Sequence, residues 1–505
     1  MRPLIQEIST AHTPESLVGR LQGEAGVVLL RSALFDSPQA RYSFVTARPF
    51  LTFRSSGSRC ELAADGAAHV QFGNPWHVLD GLMSRYELLD EVDLPFPLGG
   101  CFGYWGYDLK NFVEPKLQRN AVNDLELPEC HVGFHDSLVV FDHHLGKTWI
   151  VSTGLGVDGS RSETQAQRQM EFWVKKLLPE ESWDAADEGD GGEHEFRKKF
   201  TDETPGNTAG TAAPPARGEP DRQISSNLSR AEFLVLVEQA QRYIRAGDIY
   251  QVNLAQRLTA ACDLTGWEFF QRLAAVSPAP FSAFLDGGEF QIASSSPELF
   301  LRLSGSHILT RPIKGTRPRS SDATRDAQLT YELQTSAKEI SELVMITDLL
   351  RNDLGKVCEY GSVQVPELLR LERYPQVQHL ASTVEGRLRS GVTHFGAFAS
   401  CFPGGSITGA PKIRALEIID ELEPVTRGPY TGALGYLGFN RESQLSILIR
   451  AAVCRKGCVH FHVGAGIVAD SQPAAEYDET LAKAGGFLAA LQLQPRAEYA
   501  PMRCS

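Results

Sequence analysis

The chain has 505 residues, 42% of them apolar, enough for a large core and for about two to four domains. Its formal charge is −13, with no lysine-rich or arginine-rich tract; nothing draws it to a nucleic-acid backbone or an anionic membrane, and an anionic small substrate would need locally gathered cations. The opening MRPLIQEISTAHTPESL has no basic leader before an apolar core, and no run of about 18 apolar residues occurs; the nine cysteines are scattered without a CxxC, as reduced thiols are, so a cytoplasmic protein is expected.

In chain order, short β segments bounded by turn residues are predicted at 26–30, 42–47, 131–134, 137–141 and 148–153, with helices at 75–86 and 160–178. Residues 183–223 are acidic and rich in Gly and Pro, with few large apolar side chains. Such a segment cannot bury enough surface to offset the entropy of ordering, so a flexible linker is expected there. It divides the chain into an N-terminal lobe, 1–182, and a larger lobe, 224–495, followed by a tail, 496–505. Ser229-Arg230-Ala231-Glu232 is a capping box opening a helix to about residue 246, ended by Gly247. A strand at 249–258 follows, with Tyr250, Val252 and Leu254 on one face and Gln251 and Asn253 on the other. Further helices are predicted at 326–351, 393–402, 411–422 and 473–491. Strands joined by short turns fill much of the remainder, which indicates an α+β protein with antiparallel sheets.

Three groups of residues carry candidate chemistry. Lys314 lies in Arg311-Pro312-Ile313-Lys314-Gly315-Thr316-Arg317-Pro318-Arg319, where like charges disfavour an ammonium and favour a nucleophilic amine. A lysine with a buried stem and a solvated head is the commoner arrangement. Glu339 and Glu342 fall three apart on one predicted helix, and Glu476, Glu479 and Lys483 repeat that spacing on another. If the two faces meet across a cleft, the carboxylates suit magnesium, which keeps waters and takes few protein ligands, and Lys483 suits a substrate carboxylate; otherwise they coat solvated helices. Glycines at 404–409 ahead of a helix near Pro411, and a loop His462-Val463-Gly464-Ala465-Gly466, would offer bare N–H groups to an anion. Gly99-Gly100-Cys101-Phe102-Gly103 fits the nucleophile elbow of triad glutamine amidotransferases, but none of the 13 histidines has Glu two residues on, so Cys101 reads as structural.

GDIYQVNLAQR, SSSPELFL, RPIKGTRPR, SAKEISELVMITDLLRNDLGKV, CFPGGSITGAPK, GALGYLGF, SILIRAAV, GAGIVADS and EYDETLAKA follow one another along the chain. In these strings the chain resembles the chorismate-utilising enzymes, most closely the branch that forms aminodeoxychorismate for para-aminobenzoate and folate synthesis. The resemblance implies two large antiparallel β-sheets facing each other, helices packed outside, and an active site in the cleft. It implies magnesium held by Glu342 and Glu479, with Glu339 and Glu476 supporting, and a pyruvyl carboxylate held by Tyr430, Arg450 and the backbone of Gly464, Ala465 and Gly466. Gly315 and Thr316 would line the ring pocket, Glu298 would be the proton donor, and His379 would stand near the departing hydroxyl.

Two positions discriminate within the family. Gln251 stands where water-adding members carry a lysine base, and glutamine cannot remove a proton. Lys314 stands where anthranilate-forming members typically have alanine. The resemblance therefore implies a covalent lysine intermediate and 4-amino-4-deoxychorismate as product, with ammonia from a separate glutamine amidotransferase subunit; anthranilate formation and an inactive regulatory chorismate-binding subunit are the alternatives. A tryptophan site is implied at Ser32, Gln39, Ala40, Arg41, Tyr42, Pro280, Phe281 and Ser282, where core packing is an equal explanation.

Overall fold

The computed structural model describes residues 2–32, 41–88, 94–178, 224–374 and 377–501. The expected linker, 183–223, and Gln39 and Ala40 lie outside them. Among the described residues two large sheets dominate, one of 13 strands and one of 12. Between the strands of these sheets every pairing is antiparallel except the short one between Ile224–Ser226 and Ala500–Pro501.

Both sheets run from one lobe into the other. In the larger, Val28–Arg31 pairs with Phe281–Asp286; in the smaller, Gly100–Trp105 pairs with Ala433–Gly438. One apolar cluster joins Phe44, Phe102 and Trp105 to Phe398, Tyr436 and Phe439, with the Phe102 and Tyr436 rings stacked 5.4 Å apart. Hydrophobic area removed from water is thus shared between lobes. Residues 496–501 of the tail belong to the same body, because Tyr499 is buried. Among the described residues, no helix is long and apolar enough to cross a membrane.

Local chemistry explains most element ends. The Ser229 hydroxyl and Glu232 cap each other at the start of Arg230–Ala246, and Gly247 closes that helix at φ 85°, a conformation glycine adopts without a Cβ clash. The single helix expected at 326–351 is two, Ala323–Thr335 and Ala337–Gly355. Ser336 ends the first and caps the second by accepting from the Glu339 N–H, a local bond that an apolar periodicity spanning both segments hides. The strand expected from 249 starts at Gln251, and Tyr250 is 73% exposed rather than buried with Val252 and Leu254.

One glycine-rich segment also differs from expectation. His462–Gly466 is not a loop but part of the strand Cys458–Ile467, paired residue for residue with Val252–Ala261. Glycines there let other groups approach the backbone closely. Cys101 is fully buried within Gly100–Trp105, and burial pushes its thiol well above the ordinary range, so it is no nucleophile.

Candidate active site

A cavity of about 560 Å³ opens among the strand Ile313–Pro318, the helices Ala337–Gly355 and Pro473–Ala490, the strand Cys458–Ile467 and the turn Gly405–Ile407. Its wall gathers Lys314, Gly315, Thr316, Glu298, Glu339, Glu342, Tyr430, Arg450, Gly464, Gly466, Glu479 and Lys483. The two acidic helix faces read from i,i+3 spacing therefore meet across one space.

Lys314 and Glu298 are joined through one residue. Lys314 Nζ donates to the Ser406 carbonyl oxygen at 3.4 Å, and the Ser406 side chain hydrogen-bonds the Glu298 carboxyl. Burial pushes Glu298 up to about 6, against the lowering effects of Ser406 and the Lys314 charge, which suits a group that must hold a proton near neutral pH. The three arginines near Lys314 in sequence do not crowd it. Arg311 pairs with Glu367 and Glu372, Arg317 with Glu339 and Arg319 with Asp326, so carboxylates answer the charges that the sequence sets beside the amine.

Gly315 is required where it stands. It has φ 61°, and a Cβ there would lie 2.7 Å from Leu333 Cδ1 and 3.0 Å from Glu339 Oε2. On the opposite wall, a Cβ at Gly464 would lie 2.8 Å from the Tyr430 hydroxyl and 2.8 Å from Asn253 Oδ1, and one at Gly466 would lie 2.5 Å from Gln251 Nε2. Bare backbone thus stands against two side-chain amides, and the Gln251 and Asn253 amide oxygens are buried without hydrogen-bond partners. Ala465, between the glycines, points its methyl into the core. Tyr430 stacks on His462 with centroids 5.1 Å apart, and burial pushes its hydroxyl up to about 12. Arg450 is exposed into the cavity at φ 52° and has no ion-pair partner among the described residues, leaving its guanidinium open to a carboxylate. Lys483 Nζ donates to the Gly464 carbonyl oxygen at 2.7 Å and pairs with Glu479 at 2.8 Å.

The donor set suits a hard cation with few protein ligands. Burial raises Glu342, and the charges of Glu339 and Glu479 add to the rise. Glu476 lies behind the wall rather than on it; its Oε1 accepts from Ser471 at 2.6 Å, its Oε2 is buried without a partner, and burial raises it too. Gathered carboxylates that resist ionisation are relieved by a divalent charge. Among the described residues, no group of three or more His, Cys, Asp or Glu side chains is placed to hold a metal ion, whereas magnesium is held by one or two carboxylates with water and substrate oxygens. Glu342 and Glu479 fit that role.

Some expected groups are placed elsewhere. His379 is paired with Thr316 in register, but its Nε2 is engaged by Glu372 at 3.0 Å and its ring packs on Tyr374; it is not on the cavity wall. The N-terminus of Lys412–Leu422 does not line the cavity, which takes only Ser406 and Ile407 from that segment. Ser32, Tyr42, Pro280, Phe281 and Ser282 do line one cleft, with about 20 Å³ among the described residues, while Arg41 turns to Asp142 at 2.6 Å.

Sequence reasoning missed the buried guanidinium that ties the cavity walls together. Arg427 donates to Glu423 at 2.6 and 2.8 Å, to the Asn253 carbonyl oxygen at 2.8 Å and to the Ile407 carbonyl oxygen at 3.2 Å. Its signal was the i,i+4 spacing of Glu423 and Arg427, ordinary for a surface pair.

The sequence profile of the family described as chorismate binding enzyme matches residues 31–489. Relatives include anthranilate synthase component 1 of Acetivibrio thermocellus, 36% identical over 97% of this chain and 95% of its own. Aminodeoxychorismate synthase component 1 of Escherichia coli is 35% identical over 95% of this chain and 96% of its own. The crystal structure of anthranilate synthase component I from Streptococcus pneumoniae superposes with a TM-score of 0.70 at 27% identity, covering 89% of this chain and 93% of that one. The menaquinone-specific isochorismate synthase MenF of E. coli, at 17% identity and a TM-score of 0.67, covering 97% of this chain and 94% of that one, shares the fold. Two facing antiparallel sheets, a cavity lined by carboxylates and cations, and a family match across most of the chain lead to one conclusion: the chain belongs to the chorismate-binding enzyme family.

Proposed function

We propose that the protein aminates chorismate at C4, forming 4-amino-4-deoxychorismate, with ammonia supplied by a separate glutamine amidotransferase subunit. The observation that carries this reading is the single turn residue, Ser406, shared by the amine of Lys314 and the carboxyl of Glu298. A nucleophile and a proton donor on one cavity wall are what displacement of an allylic hydroxyl needs.

Arg450, Tyr430 and the backbone of Gly464 and Gly466 hold one carboxylate of the substrate, and Lys483 faces the other. Magnesium on Glu342 and Glu479, when bound, supplies positive charge that neutralises a substrate carboxylate and orients the ring. The Lys314 amine forms a bond to ring C2, both ring double bonds shift by one position (C1=C2 to C1=C6 and C5=C6 to C4=C5), and the C4–O bond breaks. The hydroxyl takes the Glu298 proton and leaves as water. Ammonia then bonds to C4, both ring double bonds return to C5=C6 and C1=C2, and the C2–N bond to Lys314 breaks, restoring the amine. Gln251, at the position of the base of water-adding members, argues against hydration. The cleft at Ser32, Tyr42 and Pro280–Ser282 is the proposed place for tryptophan, in a structural or regulatory role.

The second reading is anthranilate formation, since relatives of that activity are as similar as the aminodeoxychorismate synthases, 36% against 35% identity. Purified protein with chorismate, magnesium and an ammonium salt separates the two by product mass and chromatography. A 4-amino product is expected; anthranilate with pyruvate overturns the proposal. Lys314→Ala is expected to abolish any covalent adduct and divert ammonia to C2, and an unchanged 4-amino product from that variant removes the nucleophile role.

A further inference from the structure

A second cavity, of about 180 Å³, lies between the two sheets and shares no lining residue with the chorismate cavity or with the cleft at Ser32 and Tyr42. Its apolar wall includes Val28, Phe102 and Leu285, and its polar side chains are Thr52, Arg54, His131, His135 and Asp286. Drug-sized ligands occupy about 300–1,000 Å³, so this space suits a molecule of roughly ten non-hydrogen atoms or fewer.

The polar groups have defined roles. Arg54 Nε donates to His131 Nδ1 at 3.0 Å and Nη2 donates to the Gly287 carbonyl oxygen at 2.9 Å, which leaves further guanidinium protons for the cavity. Arg54 has no ion-pair partner among the described residues. Because His131 Nδ1 accepts, its proton resides on Nε2. His135 Nδ1 lies 3.3 Å from the Ala47 carbonyl oxygen, which can only accept, so the lone pair is on Nε2. That nitrogen is buried with no partner, although its side chain is fully enclosed. Burial pushes both imidazoles down to about 3, so they stay neutral. Gly133 makes room for the unpaired nitrogen, because a Cβ there would stand 2.6 Å from it. Asp286 uses Oδ1 to accept from the Gly288 N–H at 2.9 Å and is half-buried at the rim.

A cation and a carboxylate at the cavity, apolar walls and a buried acceptor without a donor make a complementary set. The geometry points to a binding site for a small α-amino acid, with its carboxylate on Arg54, its ammonium toward Asp286, and a side-chain N–H or O–H donated to His135 Nε2. This site is separate from the chemistry at Lys314 and does not depend on which amination the enzyme performs.

The test is isothermal titration of the full chain with L-serine, L-threonine and L-glutamine, against L-alanine and acetate, which lack the side-chain donor or the ammonium. At least one donor-bearing amino acid is expected to bind saturably, and more tightly than both controls. Arg54→Met and His135→Phe are each expected to weaken it by about tenfold or more, while Tyr42→Leu in the neighbouring cleft leaves it unchanged. Should either buried variant fail to fold, Asp286→Asn at the rim supplies the same test through the ammonium. No saturable binding up to about 20 mM, binding that survives these substitutions in folded protein, or binding lost only in Tyr42→Leu overturns the assignment.

Discussion

Glu298→Gln removes the one carboxyl that the proposed reaction needs protonated, and its effect on stability follows from burial. The carboxyl rises from 4.5 to about 6 in the folded protein, chiefly because its charged form is desolvated. A raised carboxyl favours folding fully below about 4.5, and that contribution is lost as pH rises through about 6; the difference corresponds to about 2 kcal/mol. Glutamine is neutral at every pH and keeps groups able to bond Ser406. The variant is therefore expected to be about 2 kcal/mol more stable than the parent at pH 8, with the advantage shrinking toward pH 5 as the parent's carboxyl takes up its proton. Urea unfolding followed by tryptophan fluorescence at both pH values gives the two differences. Ammonia-dependent turnover of chorismate is expected to fall by at least about 100-fold in the same variant. A variant equally or less stable at pH 8, or a stability difference that does not change with pH, refutes the reasoning.

Breaking the buried Arg427–Glu423 pair with Arg427→Met leaves a carboxylate uncompensated and is expected to cost about 3–5 kcal/mol in urea unfolding; a loss below about 1 kcal/mol shows that the clamp is not what holds the walls. Arg450→Met is expected to weaken chorismate binding by roughly 10–100-fold in equilibrium titration, the size of a charge-assisted hydrogen bond, with the fold intact by circular dichroism. Gly464→Ala, whose Cβ would meet Tyr430 and Asn253, is expected to raise KM for chorismate more than it lowers thermal stability; an unchanged KM argues against that strand as a substrate wall. Chelation by excess EDTA is expected to abolish turnover, with recovery on adding magnesium, and full activity without the metal overturns the role of Glu342 and Glu479.

Much of this molecule is legible along the chain because short-range chemistry decides it. The capping box at Ser229 and Glu232, the i,i+3 carboxylates of two helices and the alternation that points Gln251 and Asn253 the same way each depend on neighbours a few residues apart, and Glu339, Glu342, Glu479 and Asn253 come to the wall of one cavity. Long-range packing decides the rest. Three arginines beside Lys314 looked like a repulsive cluster, yet each turns to a carboxylate brought by folding. His379 sits in register with Thr316 but is held by Glu372, and Arg427, an ordinary surface-helix spacing in sequence, becomes the buried tie between the strand at Asn253 and the turn at Ile407. Composition, capping and periodicity determined that the chain is an α+β protein with acidic helix faces, while Lys314 was set apart by its resemblance to a family motif. Only the tertiary structure decided which charges face one another, because the strength of an ion or a hydrogen bond depends on the water excluded around it, and that exclusion is a property of the packed sheets rather than of any segment.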